Sequence, residues 1–161
     1  MLIDLRSILD RPGARISFNT ELDFSDFMFG AQKPVKEPVY VSGEIFNKAG
    51  VIFLLADVVT NLHCVCDRCA ADFTREYRSR IETLLCEKPD EDDTESYPIE
   101  NDSVEVDEII TSAFVLDMDS RFLCRPDCRG ICAKCGADLN DGPCGCAEET
   151  DSRWAALKDL F

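Results

Sequence analysis

VIFLLADVVTNLHCVCDRCAADFTREYRSRIETLL, residues 51–85, decides the fold. Ile52, Leu54, Ala56, Val58, Leu62 and Cys64 fall on one side of a period-two repeat, the pattern of a half-buried strand and not of a helix. A turn, Cys66-Asp-Arg-Cys69-Ala-Ala-Asp72, leads into a second run. There Phe73, Tyr77, Ile81, Thr83 and Leu85 oppose Thr74, Glu76, Arg78, Arg80 and Glu82. Working outward, Val39, Val41, Gly43 and Ile45 alternate with Tyr40, Ser42 and Glu44, and Asn47-Lys-Ala-Gly50 has the composition of a hairpin turn. Three strands joined by short turns form an antiparallel meander, because parallel neighbours need long crossovers.

The flanks supply the rest of an α+β class: an antiparallel β-sheet, open to curling toward a barrel, with a packed helix and a Cys-rich zinc-knuckle C-terminal segment. Leu2, Ile3, Leu5, Ile8 and Leu9 recur at helical spacing before Pro12-Gly13, and Phe18, Leu22, Phe24 and Phe27 read as packing on a sheet edge. Asp102 or Asp107 is placed to cap a helix running to about Met118, with Ile109, Ile110, Ala113, Phe114 and Leu116 as its apolar face and acids in its first turn. This helix is expected to cover the sheet. Asp151 to Phe161 reads as a short amphipathic helix, with Trp154, Leu157, Leu160 and Phe161 either packed on their own domain or forming a docking stripe. The expected organisation is an α+β domain over residues 1–120 and a Cys-rich zinc-binding tail over 121–161.

Six cysteines fall within the twenty-three residues from Cys124 to Cys146, a density that packing does not require. Cys132-Ala-Lys-Cys135-Gly136 followed by Cys144-Gly-Cys146 has the spacing of a zinc knuckle closed by a second cysteine pair, a complete S4 set. Cys124 and Cys128 then lack local partners, as do Cys66 and Cys69. Two and two make a second S4 set, which requires the tail to fold back on the hairpin tip. A division giving Cys124, Cys128, Cys132 and Cys135 to one ion also satisfies the spacing. Zinc suits these knuckles better than an iron–sulfur cluster, which four cysteines also accommodate. Cys64 lies on the apolar face of its strand, where a small buried hydrophobe is the common outcome. A different class of reading makes Cys66 and Cys69 a redox sensor or oxidoreductase pair. Such pairs place the first cysteine at a helix N-terminus, and here both neighbours are strands.

Charge narrows the function further. The chain carries 32 acids against 17 bases, a net charge of −15. Eleven of the acids lie between Glu87 and Glu108 against Lys88 alone, a solvated stretch or a docking surface for a basic partner. Broad phosphate neutralisation is excluded, and with it nonspecific DNA or RNA binding. Arg121, Arg125, Arg129 and Lys134 among the cysteines leave room for a local RNA contact. The longest apolar run, Val51 to Ala56, is too short to span a bilayer, and the opening residues lack a signal-peptide core. His63 is the sole histidine and reads as structural or surface. No phosphate loop, nucleophile elbow or H-E-x-x-H is present. A fully thiolate-bound ion leaves no position for a reactive water, so no enzyme is expected.

Several stretches resemble the YceD family, the large ribosomal RNA subunit accumulation proteins. They are Ile3-Asp-Leu with Arg11-Pro-Gly13, the Cys66-Asp-Arg-Cys69 turn, Asp107-Glu-Ile-Ile, the tail from Cys124 to Asn140, and Asp151-Ser-Arg-Trp-Ala-Ala-Leu157. Ser152 departs from a proline favoured in the family. The resemblance implies a bacterial, cytoplasmic, non-enzymatic ribosome-biogenesis factor that supports accumulation or processing of large-subunit ribosomal RNA. Some relatives lack much of the tail cluster, which implies a stabilising role for tail zinc. Combined with the acidic charge, the resemblance points to an adaptor for a basic ribosomal protein or assembly factor.

Overall fold

The computed structural model describes residues 1–88 and 96–146. In chain order its elements are β1 (Leu2–Asp4), β2 (Arg15–Leu22), β3 (Val39–Lys48), β4 (Val51–Val65), β5 (Asp72–Cys86), β6 (Ser96–Pro98), β7 (Ser103–Glu105) and α1 (Val106–Asp117). Alternation drives the sheet. Along β4 every second residue from Ile52 to Cys64 is buried, and the register to β5 runs unbroken from Ile52–Leu85 to Val65–Asp72. The turn between β3 and β4 places Ala49 and Gly50 at positive φ, as a two-residue hairpin whose twist matches its strands requires. Asn47 anchors it. Its buried amide donates to the carbonyls of Ile8 and Leu9, and its oxygen accepts from the Gly50 N–H.

The main sheet has the order β2-β3-β4-β5-β6, antiparallel except for the parallel β5–β6 pair, and it is an open sheet and not a barrel. Among the described residues β2 and β6 are its edges. A separate two-stranded ribbon joins β1 to β7.

Four expectations are corrected, the last of them on the helix. The helical spacing at Leu2–Leu9 belongs to β1 and a following turn: pairing with β7 recruits Leu2–Asp4, and Leu5 and Ile8 then sink into the core one turn apart. Phe18 and Leu22 do not pack on a sheet edge; they are part of it. Ile16, Phe18, Thr20 and Leu22 alternate with Arg15, Ser17, Asn19 and Glu21 through all of β2, so the meander has four strands. Asp102 and Asp107 do not cap α1. Glu105 occupies that position without a side-chain hydrogen bond, because β7 delivers the chain already extended into the helix.

Helix α1 lies across the inner face of the sheet and ends at Asp117, with Met118 as its extended C-cap, as its pattern implies. Val106, Ile109, Ile110 and Phe114 are buried. The Phe114 ring stacks on Phe24 at 4.6 Å and meets Tyr77 and Phe29 edge-on at 5.1 and 6.0 Å. Leu116 was expected on this face, two turns beyond Ile109, yet it is 83% exposed. The expected helix over 151–161 and acidic residues 90–95 lie outside the described residues.

Candidate metal centres

Both cysteine knuckles are built the same way. In the first, β4 delivers Cys66 and β5 begins at Asp72, so Cys66-Asp-Arg-Cys69 forms the tip of the longest hairpin. The Cys66 N–H donates to the Ala71 carbonyl, and the Ala70 N–H donates to the Cys66 carbonyl, both at 2.9 Å. In the second, Cys132 and Ala137 repeat the first bond at 2.8 Å, and Gly136 and Cys132 repeat the second at 2.9 Å. The residue after the second cysteine is left-handed in each: Ala70 at φ 58° and Gly136 at φ 72°. This turn directs backbone N–H groups at the first sulfur, as with the Lys134 N–H 3.4 Å from Cys132 Sγ.

The tail reaches the hairpin tip through the two residues between Cys66 and Cys69. Asp67 clamps the chain at Phe122: its N–H donates to the Phe122 carbonyl at 2.8 Å, and its carboxylate accepts from the Phe122 N–H at 2.6 Å. Arg68 donates to the Cys128 carbonyl at 2.6 Å. Gln32 braces the strand end, exchanging bonds with the backbone of Val65 and donating to Asp67. These contacts bring Cys124 and Cys128 against Cys66 and Cys69, leaving Cys132 with Cys135, Cys144 and Cys146. Within each quartet all sulfurs lie within 4.8 Å of one another. Asn140, in the loop between Cys135 and Cys144, reaches back to the first quartet. Its amide donates to Cys128 Sγ at 3.4 Å, and its oxygen accepts from the Arg129 N–H.

The sulfur spacing tests whether a metal fits. Four sulfurs about 2.3 Å from one ion stand about 3.8 Å apart at tetrahedral corners, whereas a disulfide needs about 2.05 Å. Cys66–Cys128 and Cys69–Cys124 are 3.9 and 3.7 Å apart, and all ten cysteines are unpaired. The donor set therefore suits a soft ion held by thiolates.

The electrostatics point the same way. Burial pushes the Cys66 thiol up, but N–H groups of Cys124, Cys69 and Arg68 outweigh it and bring the pKa to about 6. N–H groups of Cys135 and Lys134 likewise bring Cys132 to about 6. The Asn140 amide lowers Cys128. Within each quartet the neighbours bear the repulsion: burial and the adjacent sulfurs push Cys124 up to about 12, and Cys135 and Cys144 push Cys146 to about 12. A divalent cation removes that repulsion.

The quartets differ in shelter. Cys66, Cys69 and Cys128 are buried, while Cys135 and Cys146 are exposed. Cys64 sits in the main core and burial raises its pKa, and Cys86 is half-buried at the end of β5; neither joins a quartet. His63 faces the other side of the sheet, between Glu37 and Thr74, each 3.2 Å away. Asp67, Arg68, Asn140 and Gln32 were not singled out from sequence. Their only signal is position: two lie inside the C-x2-C turn and one closes the matching tail stretch.

No helix among the described residues is long and apolar enough to cross a membrane. Residues 54–161 match the family model described as large ribosomal RNA subunit accumulation protein YceD. A chloroplastic large ribosomal RNA subunit accumulation protein YCED homolog 1 of Arabidopsis thaliana is 26% identical over 79% of this chain and 50% of its own length. The Zea mays protein of the same name is 24% identical over 82% of this chain and 56% of its own. An uncharacterized protein of Mycobacterium tuberculosis is 29% identical over 60% of this chain and 49% of its own. The chain thus spans about half the length of these curated relatives. No solved structure matches. With both knuckles inside the matched residues, the chain belongs to the YceD family.

Proposed function

We propose that this protein is a non-enzymatic, cytoplasmic factor in the accumulation of large-subunit ribosomal RNA, acting as an acidic adaptor for a basic ribosomal protein or assembly factor. The family match over residues 54–161 carries this reading, and it spans both knuckles and the helix between them. Each quartet holds one zinc ion: Cys66, Cys69, Cys124 and Cys128 bind the first, and Cys132, Cys135, Cys144 and Cys146 the second. Sulfurs all within 4.8 Å suit a single ion better than a cluster whose cysteines bind different irons. Zinc supplies folding energy and cross-linking here, since four thiolates leave no coordination position for water. The first ion staples the tail segment, 121–161, to the domain of residues 1–120. A scaffold so closed favours gripping a partner over redox exchange at Cys66 and Cys69.

Charge favours a protein partner over RNA. Arg121, Arg125, Arg129 and Lys134 are exposed, but Asp127 lies 3.6 Å from Arg125, and Asp138, Asp141 and the bound thiolates offset the rest. The test is recovery of the tagged full-length protein from growing cells at moderate salt, with proteins and RNA both identified. Ribosomal proteins or assembly factors with associated large-subunit RNA are expected, and recovery free of every ribosomal component overturns the reading.

A further inference from the structure

The exposure of Leu116 marks a groove. It runs between α1 and the β5–β6 edge as two adjoining cavities of about 420 and 200 Å³ that share Tyr97. Phe53, Ile81, Leu84, Ala113 and Leu116 line the first, and Leu2, Val104 and Ile109 the second. The charged lining residues are Glu82, Glu100, Glu105 and Glu108, with no lysine or arginine among them. Glu105 pairs with the Met1 amine, whereas Glu82, Glu100 and Glu108 have no cationic partner among the described residues.

We propose that this groove is the docking site for a basic amphipathic segment of a partner protein. Its apolar side chains cover Tyr97, Ala113 and Leu116, and its lysines or arginines meet Glu82, Glu100 and Glu108. The proposal deepens the adaptor reading and rests on it. Apolar floor and acidic rim act together. A purely apolar segment would desolvate the rim carboxylates without pairing them, a cost that cationic side chains remove. The same rim repels phosphate backbones, and it repels a second copy of a chain with net charge −15. From Glu108 to Leu116 the helix rises about 12 Å, room for roughly two turns of a partner helix.

The test uses the zinc-loaded full chain and three synthetic peptides of equal length: lysine–leucine at helical spacing, lysine–serine, and glutamate–leucine. In NMR titrations the lysine–leucine peptide shifts Tyr97, Ala113 and Leu116, and the other two bind about tenfold or more weakly. Both a Glu82→Lys, Glu100→Lys chain and a Leu116→Ser chain keep their melting temperature and lose about tenfold in affinity. Equal binding of the lysine–serine peptide, shifts confined to other residues, affinity unchanged in both variants, or tighter seating of a peptide of residues 151–161 overturns the proposal. So does self-association through the groove. In cells, a photo-crosslinker at Leu116 captures a basic, apolar segment that one at Ile131 does not; capture of an acidic segment or of nucleic acid overturns it.

The two readings fail separately. Equal recovery of ribosomal components by wild type and the charge-reversed chain removes the groove and leaves the biogenesis role. Recovery of none by wild type, with peptide binding intact, removes the role and leaves the groove.

Discussion

Gly130 is where a single methyl group should separate the hairpin tip from the tail. Its φ is +78°, and a Cβ there would stand 2.8 Å from the Arg68 carbonyl oxygen and 2.9 Å from Arg68 Cγ. Arg68 cannot retreat, because it lies between Cys66 and Cys69 and its guanidinium holds the Cys128 carbonyl. Gly130→Ala therefore carries two costs: about 1–2 kcal/mol for a left-handed non-glycine residue and about 1–3 kcal/mol for overpacking against fixed backbone. Gly136→Ala is the control. Its φ is +72° and nothing lies within 4 Å of the added carbon, so only the first cost applies. The narrower choice of conformations for alanine in the unfolded chain offsets both equally. The difference between the variants, about 1–3 kcal/mol, is then the collision alone. Urea unfolding of the zinc-loaded full chain at fixed free zinc, followed by circular dichroism and zinc release, reads it directly. Equal midpoints for the two variants, or a lower one for Gly136→Ala, would refute the reasoning.

Other consequences are equally direct. Asn47→Ala removes three hydrogen bonds and strands the Leu9 carbonyl, while the Ile8 carbonyl keeps the Arg11 N–H, so stability read from the denaturation midpoint should fall by about 2–3 kcal/mol. Ala70→Gly relieves the left-handed alanine of the first knuckle, and the gain, less the unfolded-state entropy, should leave the protein unchanged or up to about 1 kcal/mol more stable. A chelator should empty the quartet with exposed Cys135 and Cys146 before the buried one, in two resolved phases. Lowering pH should assist. Cys66 and Cys132 are held at about 6, below their ordinary thiol value, so the thiolate advantage is full above that ordinary value and is lost as pH falls through 6. A zinc affinity that does not weaken at all as pH falls would count against thiolate ligation.

What could be read from sequence follows from how each feature is encoded. The β4–β5 hairpin announces itself because burial alternates over fifteen residues in each strand, with Thr74, Glu76, Arg78, Arg80 and Glu82 marking the outer face of β5. Strand β2 alternates just as cleanly, from Arg15 to Leu22, but the phenylalanines at 18, 24 and 27 draw the eye to a looser packing pattern. Strands β1, β6 and β7 span three residues each, too few for any period to register, and pairing alone creates them. The start of α1 misleads for a related reason: acids at 102 and 107 look like caps, while β7 fills the space between them. Spacing brings the cysteines to notice but leaves their partition open. Folded geometry makes it concrete through Asp67, Arg68 and Asn140, polar residues without periodic signal. The groove beside Leu116 is invisible in one dimension, because Ile109 and Leu116 occupy the same helical face and only the sheet beneath distinguishes them.

Metal analysis of the purified full chain, combined with a thiol count under native conditions, bears on the central claim most directly. The account predicts two zinc ions per chain and eight thiols protected in the folded state, with Cys64 and Cys86 outside the centres and all ten reactive only once the chain is unfolded and the zinc removed. Metal-free protein with the quartet thiols freely titrating, disulfides among those eight cysteines, or an ion that carries an exchangeable water would contradict it.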